Sequence, residues 1–522
     1  MIFRSIYPDL DIPETALTPL VLHKAAKLGD KPALIDALSG RTLTFTQLAD
    51  GVQRMARGLA DRGFKKGDVF ATYSFNTPDY AIAVHGVNLI GGINTTINPF
   101  YTVDEVVTQL TDCRAKYLLT TPPLMDKARE ATSKAGIETI FVFGEAEGAT
   151  PFADLLANDG HPPDMTINAR EDIAALPYSG GTTGLPKGVM LTHYNLVADI
   201  IQTEGFAGVE ENDRVIAILP FFHIYGLQVL LNVNLYYGAT LVILNKFDLE
   251  SILKTIQDFK ITRAYVAPPI MLGLSKDPAV DNYDLSSLKT VTCGAAPLSA
   301  ELSDAVKARL KCNVKQGYGM TEASPGTHII PDDPAYHRAG AAGMVLRNTE
   351  CKLVDTASGE ELGPNQNGEV LVRGPQVMKG YLNQPEATAQ TIDREGWLHT
   401  GDIGFMDDDG YLFVVDRLKE LIKYKGSQVA PAELEALLLT HPMILDSAVV
   451  PAPDEEAGEI PVAYVVTRGE VSADEVMEFV AGQVSPHKKV RRVEFIDKIP
   501  KTASGKILRR VLIDKERAAV AH

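Results

Sequence analysis

The sequence predicts an α/β protein: a large, multi-layer N-terminal domain of α/β subdomains over residues 1–416, then a small α+β C-terminal domain over residues 417–522. Three observations carry this. Helix and strand signals alternate through the N-terminal part, the rhythm of layered sheets with largely parallel strands. Several strand runs end in Gly/Pro-rich loops, as in open α/β sheets whose ligands sit at the carboxyl ends of strands. After Asp416 the chain turns lysine-dense and its elements shorten, which puts the boundary between Asp416 and Lys419.

Taken in order, Thr44-x-x-Gln47 is a capping box followed by Leu48, Val52, Met55, Ala56 and Leu59 at helical spacing. Val69 to Ser74 is a β-rich run, and Thr102-x-x-Glu105 opens another helix. The apolar stretch from Val229 to Leu244 is broken by Asn232, Asn234 and Gly238, so it reads as buried core rather than a membrane span. Further strand runs end at Pro220, Pro269 and Pro297, the last leading into a helix with Leu302, Val306 and Leu310. In the C-terminal part, Pro431 starts a short helix, two short strand runs follow, and Ser472-x-x-Glu475 caps a further helix.

Composition bounds the function. Apolar residues are 45% and charged residues 22%, ordinary for a globular chain with a large core. A net charge of −17 argues against nucleic-acid partners and stable membrane insertion. Cys113, Cys293, Cys312 and Cys351 lack zinc spacing and read as reduced thiols of a cytoplasmic protein, monomer or dimer. No apolar run follows Arg4, as a secretory signal would require. One basic segment stands out: His487 to His522 holds eleven Lys/Arg against four Asp/Glu.

The segment richest in chemistry is Tyr178 to Gly188, YSGGTTGLPKG. Its glycines let main-chain N–H groups approach a polyanion without Cβ obstruction. Thr182 and Thr183 can donate to phosphate oxygens, and Lys187 adds charge, but the ending of the NTPase P-loop is absent. Neither a GxSxG nucleophile elbow nor HExxH is present.

The loop resembles the signature of the acyl-adenylate-forming superfamily. Six more blocks occur in that superfamily's order: PFFHIYGL from Pro220, GAAPLSAEL from Gly294, QGYGMTEA from Gln316, GWLHTGDIG from Gly396, DRLKELIKYKGSQVAPAELE from Asp416 and PKTASGKILRR from Pro500. The match covers essentially the whole chain and is closest to bacterial 4-coumarate/cinnamate–CoA ligases. The resemblance implies an ATP-dependent ligase that makes an acyl-AMP and transfers the acyl group to coenzyme A. It puts the triphosphate on Ser179, Gly180, Gly181, Thr182, Thr183, Gly184 and Lys187, and adenine against Tyr318 beside Ala295 and Ala296, with Gln316, Gly317 and Thr321 around the nucleotide. It puts the ribose on Asp402 and Arg417, Mg2+ on Glu322, the acid's carboxylate at His223, and Lys506 as the cation between carboxylate and α-phosphate.

The resemblance further implies that the small domain is mobile, rotating about a hinge near Lys419. Rotation withdraws Lys506 and brings up Lys423 and Gln428 for the second step, with Lys425, Gly426 and Lys246 on coenzyme A. No Asp or Glu lies between Phe221 and Tyr237, so an amino-acid substrate is not expected. The acid pocket implied is Tyr225, Gly226, Val229, Gly317, Pro325, Gly326 and Ile329, small and apolar with one aromatic, suited to a flat aryl ring of the cinnamate or 4-coumarate type. Plant members of the resembled group carry a polar residue at the position of Val229 and a methionine near Ile329, so this chain departs from them. A medium-chain fatty acid fits the same chemistry. A luciferase-like adenylating monooxygenase and a non-catalytic nucleotide sensor are the rival readings.

Overall fold

The computed structural model describes the chain except residues 181–185, 246–247, 426, 455, 503–504 and 521–522. Among the described residues the strands form three sheets of 14, nine and five strands. The first sheet has a parallel half, ordered Pro32–Asp36, Thr240–Ile243, Arg214–Ala217, Arg263–Val266, Thr290–Cys293 and Asn313–Gly319. Its successive strands are linked by helices such as Leu249–Phe259, Pro268–Lys276 and Ala300–Leu310.

Past Gly319 the expectation of largely parallel pairing fails. Gly326–Ile329, Gly343–Val345, Tyr411–Arg417, Leu398–Met406, Gly368–Arg373 and Glu350–Val354 all pair antiparallel. For two of these pairs the reason is connection length: residues 320–325 and 407–410 are too few for a crossover, which needs about a dozen residues, but they suffice for hairpins.

The second sheet sets Val69–Tyr73, Ile93–Ile97, Ala115–Thr120 and Thr139–Val142 in parallel. Helices Phe45–Asp61 and Pro78–Leu89 lie between it and the first sheet, in one core that includes Leu34, Val215, Leu241, Phe70, Tyr117 and Phe141. The approach is close: a Cβ at Gly86 would fall 2.3 Å from Met55. The capping boxes at Thr44, Thr102 and Ser472 form as the sequence predicts, and Thr192 with Asn195 forms one more.

The last strand of the large sheet ends at Arg417, and a turn at 418–420 follows in which Lys419 is exposed. The small sheet then opens with Ile422–Tyr424. Its main strands, Ile444–Asp454 and Gly458–Thr467, are 11 and 10 residues long, well beyond the short runs expected. Period-two alternation divides them. Val449, Ala463 and Val465 pack under helices Pro431–Thr440 and Ala473–Ala481, while Ala448, Val450, Ala452, Val462 and Tyr464 face Ile499 and Leu512. The small domain therefore has a core on both faces of its sheet.

Among the described residues the two domains touch at few bonded points. Lys276 donates to the Leu439 carbonyl at 2.7 Å. Helix Pro431–Thr440 has no capping side chain at its own Ala430, and Asp416 Oδ2 of the large sheet accepts the Ala432 N–H at 2.9 Å instead. Among the described residues, no helix is long and apolar enough to cross a membrane.

A buried ionic cluster fastens the antiparallel half of the first sheet to its parallel half. Arg263 binds Asp213 at 2.6 Å and Asp332 at 2.8 Å, and Lys315 reaches Asp332 at 3.1 Å. Burial alone would raise Asp332, but Arg263 and Lys315 hold its carboxyl below the ordinary range. Burial pushes Lys315 down to about 8. Removing one partner of such a cluster strands a buried charge, so Arg263→Ala is expected to lower stability by about 3–5 kcal/mol, read from denaturant unfolding. A loss under about 1 kcal/mol would show that the cluster is not buried as described.

Candidate active site

The glycine-rich segment is a hairpin. Ser179 pairs with Lys187 across its mouth, and Gly180 has open space where a side chain would stand. Gly181, Thr182, Thr183 and Gly184 lie outside the described residues, as do Lys246 and Gly426. The Lys187 ammonium stands 4.6 Å from the centre of the Tyr381 ring. Tyr381 in turn donates its hydroxyl to Glu322 Oε1 at 2.8 Å. Tyr381 reaches this point because Gly380–Tyr381 pairs with Val189 and Met190 of the hairpin's second arm. Glu322 is only 5% exposed, on the short turn Thr321–Ala323. Among the described residues no three His, Cys, Asp or Glu side chains gather as a metal cage. Glu322 is therefore a lone carboxylate with Oε2 left over, a fit for Mg2+, which keeps most of its waters and takes one or two carboxylates beside phosphate oxygens.

Next to this column lies a second cluster. The Tyr318 hydroxyl donates to Asp402 Oδ2 at 2.6 Å, and Arg417 Nε lies 3.1 Å from Oδ1. Asp402 and Arg417 are direct cross-strand partners at the end of the last hairpin of the large sheet. Burial pushes the Asp402 carboxyl up, against the pull of Arg417, and burial beside Asp402 drives the Tyr318 phenol well above its ordinary value. Gln316 is buried opposite Cys293 and donates to the Leu298 carbonyl at 3.4 Å. Ala295 and Ala296 follow the same strand end. Ala295 holds φ +73, a left-handed conformation uncommon for a residue with a Cβ.

Lys506 comes to this cluster from the small domain, on a tight loop where Lys506 N donates to Thr502 Oγ1 at 3.0 Å. Gly505 beside it has φ +83, and a Cβ there would stand 3.1 Å from Pro269 and 3.2 Å from Ala267, so the loop sits against the end of strand Arg263–Val266. Burial and then Arg417 lower the Lys506 ammonium, while Glu420 and Asp402 favour its charge. Three residues on, Arg509 binds Glu435 at 2.8 Å and Glu420 at 3.4 Å, anchoring the segment.

His223 completes the group. Burial, with Lys506 nearby, pushes its imidazole down to about 4. Its Nδ1 accepts the Tyr225 N–H at 3.2 Å. The neutral ring therefore carries its proton on Nε2 and can donate there.

The residues expected to line an acid pocket fall on two walls. Tyr225, Gly226 and Val229 lie on a π-helical segment, Tyr225–Asn232, a form that concentrates at functional sites. A Cβ at Gly226 would fall 2.0 Å from the Pro220 carbonyl, so that approach requires glycine, and one at Gly294 would fall 3.2 Å from the Tyr225 ring, a tight fit. Pro325, Gly326 and Ile329 form the other wall, with Ile329 paired to Gly317. Ile329 packs on the cluster around Phe206, Met344 and Leu346, apart from the core that holds Tyr225 and Val229.

Lys423 and Gln428 face each other across the hairpin of Ile422–Tyr424 and Ser427–Val429, exposed like Lys419 and Lys425. Lys425 pairs with Glu456. Among the described residues none of the four bonds to Tyr318, Asp402 or Lys506.

The AMP-binding enzyme description matches residues 21–382, and the AMP-binding enzyme C-terminal domain matches residues 433–506. The chain belongs to the AMP-binding enzyme family. It is similar to 4-coumarate–CoA ligase 1 of Petroselinum crispum, at 47% identity over 524 residues, covering 98% of this chain and 96% of the relative. It is likewise similar to 4-coumarate–CoA ligase 1 of Solanum tuberosum, at 45% identity over 534 residues, covering 100% and 98%. A solved anthranilate–CoA ligase in complex with anthranoyl-AMP superposes with a TM-score of 0.90 at 27% identity, covering 98% of this chain and 99% of that one. The o-succinylbenzoate–CoA synthetase of Bacillus subtilis with its acyl-adenylate gives 0.81 at 29% identity, covering 96% and 98%.

Sequence reasoning missed Tyr381, Glu420 and Arg509. Tyr381 has no local signature, since its place depends on a pairing almost two hundred residues away. The basic tail pointed to the segment holding Arg509 but not to that residue. With its imidazole held at about 4, His223 is expected to be neutral at pH 5–8 and to take up a proton only as pH falls through that value. NMR titration of the ring should show this, and an inflection near 6.5 would contradict the burial described.

Proposed function

We propose that the protein is an ATP-dependent acid–CoA ligase acting on cinnamate-type acids, 4-coumarate among them. The observation that carries the reading is the meeting of Lys506, from the C-terminal domain, with His223, Asp402 and Arg417 of the large domain.

In the first step a carboxylate oxygen of the acid attacks the α-phosphorus of ATP, and the bond to pyrophosphate breaks. The hairpin from Ser179 to Lys187, with Gly180, Gly181, Thr182, Thr183 and Gly184, cradles the triphosphate. Tyr318 lies against adenine beside Ala295 and Ala296, Gln316, Gly317 and Thr321 line the nucleotide, and Asp402 with Arg417 takes the ribose. His223 donates from Nε2 to the acid's carboxylate, and Lys506 bridges carboxylate and α-phosphate as charge builds there. Mg2+, when bound at Glu322, neutralises charge shared by the phosphates.

In the second step the C-terminal domain rotates against the large domain about a hinge near Lys419, an exposed residue in a turn between the two, where such a change can be absorbed. Lys506 withdraws, Lys423 and Gln428 approach the acyl carbonyl, and Lys425, Gly426 and Lys246 hold coenzyme A. The thiol sulfur attacks the carbonyl, the carbon–oxygen bond to AMP breaks, and the thiol proton goes to solvent. The acyl group travels as a mixed anhydride, so no enzyme nucleophile is needed. Four buried, unpaired thiols support a cytoplasmic setting.

Two measurements test this. Lys506→Ala is expected to slow pyrophosphate release about a hundredfold, while thioester formation from supplied acyl-AMP stays close to that of the unaltered protein. An unchanged rate of adenylate formation would overturn the role of Lys506. Across cinnamate, 4-coumarate, benzoate and octanoate, the cinnamates are expected to lead, and octanoate leading by about tenfold would overturn the acid assignment.

A further inference from the structure

Asp199 is an unusual residue for its place. Helix His193–Gln202 is buried almost all round, and Asp199 is 1% exposed in its interior. No cation bonds it. Among the described residues its Oδ1 accepts the Gly326 N–H at 2.8 Å, and its Oδ2 accepts from Gln228 Nε2 at 3.2 Å. With only these two donors, burial pushes the carboxyl up to about 8.

One partner belongs to the proposed acid pocket, and the other sits on the segment that carries its opposite residues. Gly326 is on the wall formed by Pro325, Gly326 and Ile329. Gln228, 0% exposed, lies on the π-helical segment between Tyr225 and Val229. Gln228 is itself fixed, donating to the Leu196 carbonyl at 2.8 Å and accepting from Asn232 at 2.8 Å. The far side of Gly326 is held as well: its carbonyl accepts from Gln376 at 3.3 Å, and Gln376 accepts from Gln202 of the same buried helix at 2.9 Å. A Cβ at Gly326 would stand 2.9 Å from Asp199 Oδ1, so the carboxyl occupies the space a side chain at 326 would need.

We propose that Asp199 is the positioning residue of the acid pocket: its carboxyl group ties the Gly326 wall to the Gln228 helix and closes the pocket behind Gly326, limiting the size of acid admitted. This rests on the proposed acid–CoA ligase reading and names what sets its specificity. Asp199→Ala would leave the Gly326 N–H and the Gln228 amide short of an acceptor and open space behind a residue that has no side chain of its own. Asp199→Asn keeps an acceptor for Gly326 and the shape of an uncharged carboxyl.

The test is steady-state acyl-CoA formation by the full-length protein with cinnamate and with 4-ethoxycinnamate. For D199A the KM for cinnamate is expected to rise about tenfold while the KM for ATP stays within about twofold, and the 4-ethoxycinnamate-to-cinnamate ratio of kcat/KM is expected to rise about tenfold. D199N is expected to recover most of the acid affinity. Equal losses in both KM values, an unchanged acid ratio, or a D199N protein as impaired as D199A would overturn the proposal. Gly326→Ala supplies a second route should D199A fold poorly. Its defect is expected to be relieved by Asp199→Ala in the double variant, whereas additive losses would overturn the steric pairing. Failure of the wild-type protein to use any aryl acid would sink the function reading instead, and the same KM comparison is then read on the acid it does use.

Discussion

Asp402 and Arg417 are one cross-strand ion pair at the last rung of the large sheet, and the arrangement of the site depends on it. It holds the Tyr318 hydroxyl, places a carboxylate and a guanidinium side by side, and sits where the chain leaves for the small domain. A buried carboxylate next to a cation is costly to separate from it, since Asp402 alone would be a desolvated charge. The junction is thereby pinned on its large-domain side, while Lys419 in the turn beyond it stays exposed. Lys506 approaches a cluster whose charges are already set, and Arg509, held by Glu435 and Glu420, fixes the segment that carries it.

Local patterns in the sequence were legible wherever local physics decides structure. A Thr or Ser with Gln or Glu three residues on forms a capping box from its own neighbourhood alone, and all three read from the sequence form. The glycine-rich hairpin was readable because its composition suits few other purposes, and the six further blocks put His223, Tyr318, Asp402 and Lys506 on the page together. The structure brings those four into one neighbourhood.

What was not legible depends on pairing at a distance. Two antiparallel pairs of the first sheet follow from short connections, and strand runs alone do not reveal strand direction. The π-helical segment carries an ordinary apolar pattern, and its extra residue per turn leaves no trace in periodicity. No local pattern marks Asp199 as buried, because packing at a distance encloses helix His193–Gln202. Glu435, pushed up to about 7 by burial, likewise looks like a surface glutamate of a short helix until Val449 and Arg509 are seen to bind it.

The first turn of helix Pro431–Thr440 depends on another domain for its hydrogen-bond acceptor, Asp416. Such an acceptor is worth about 1 kcal/mol to a helix. If the small domain swings away about Lys419, that helix gives up its acceptor, and water takes over at little loss. A bias of that size tilts two orientations by only about fivefold. A gentle tilt of this kind lets whichever nucleotide or thioester occupies the cleft choose the orientation.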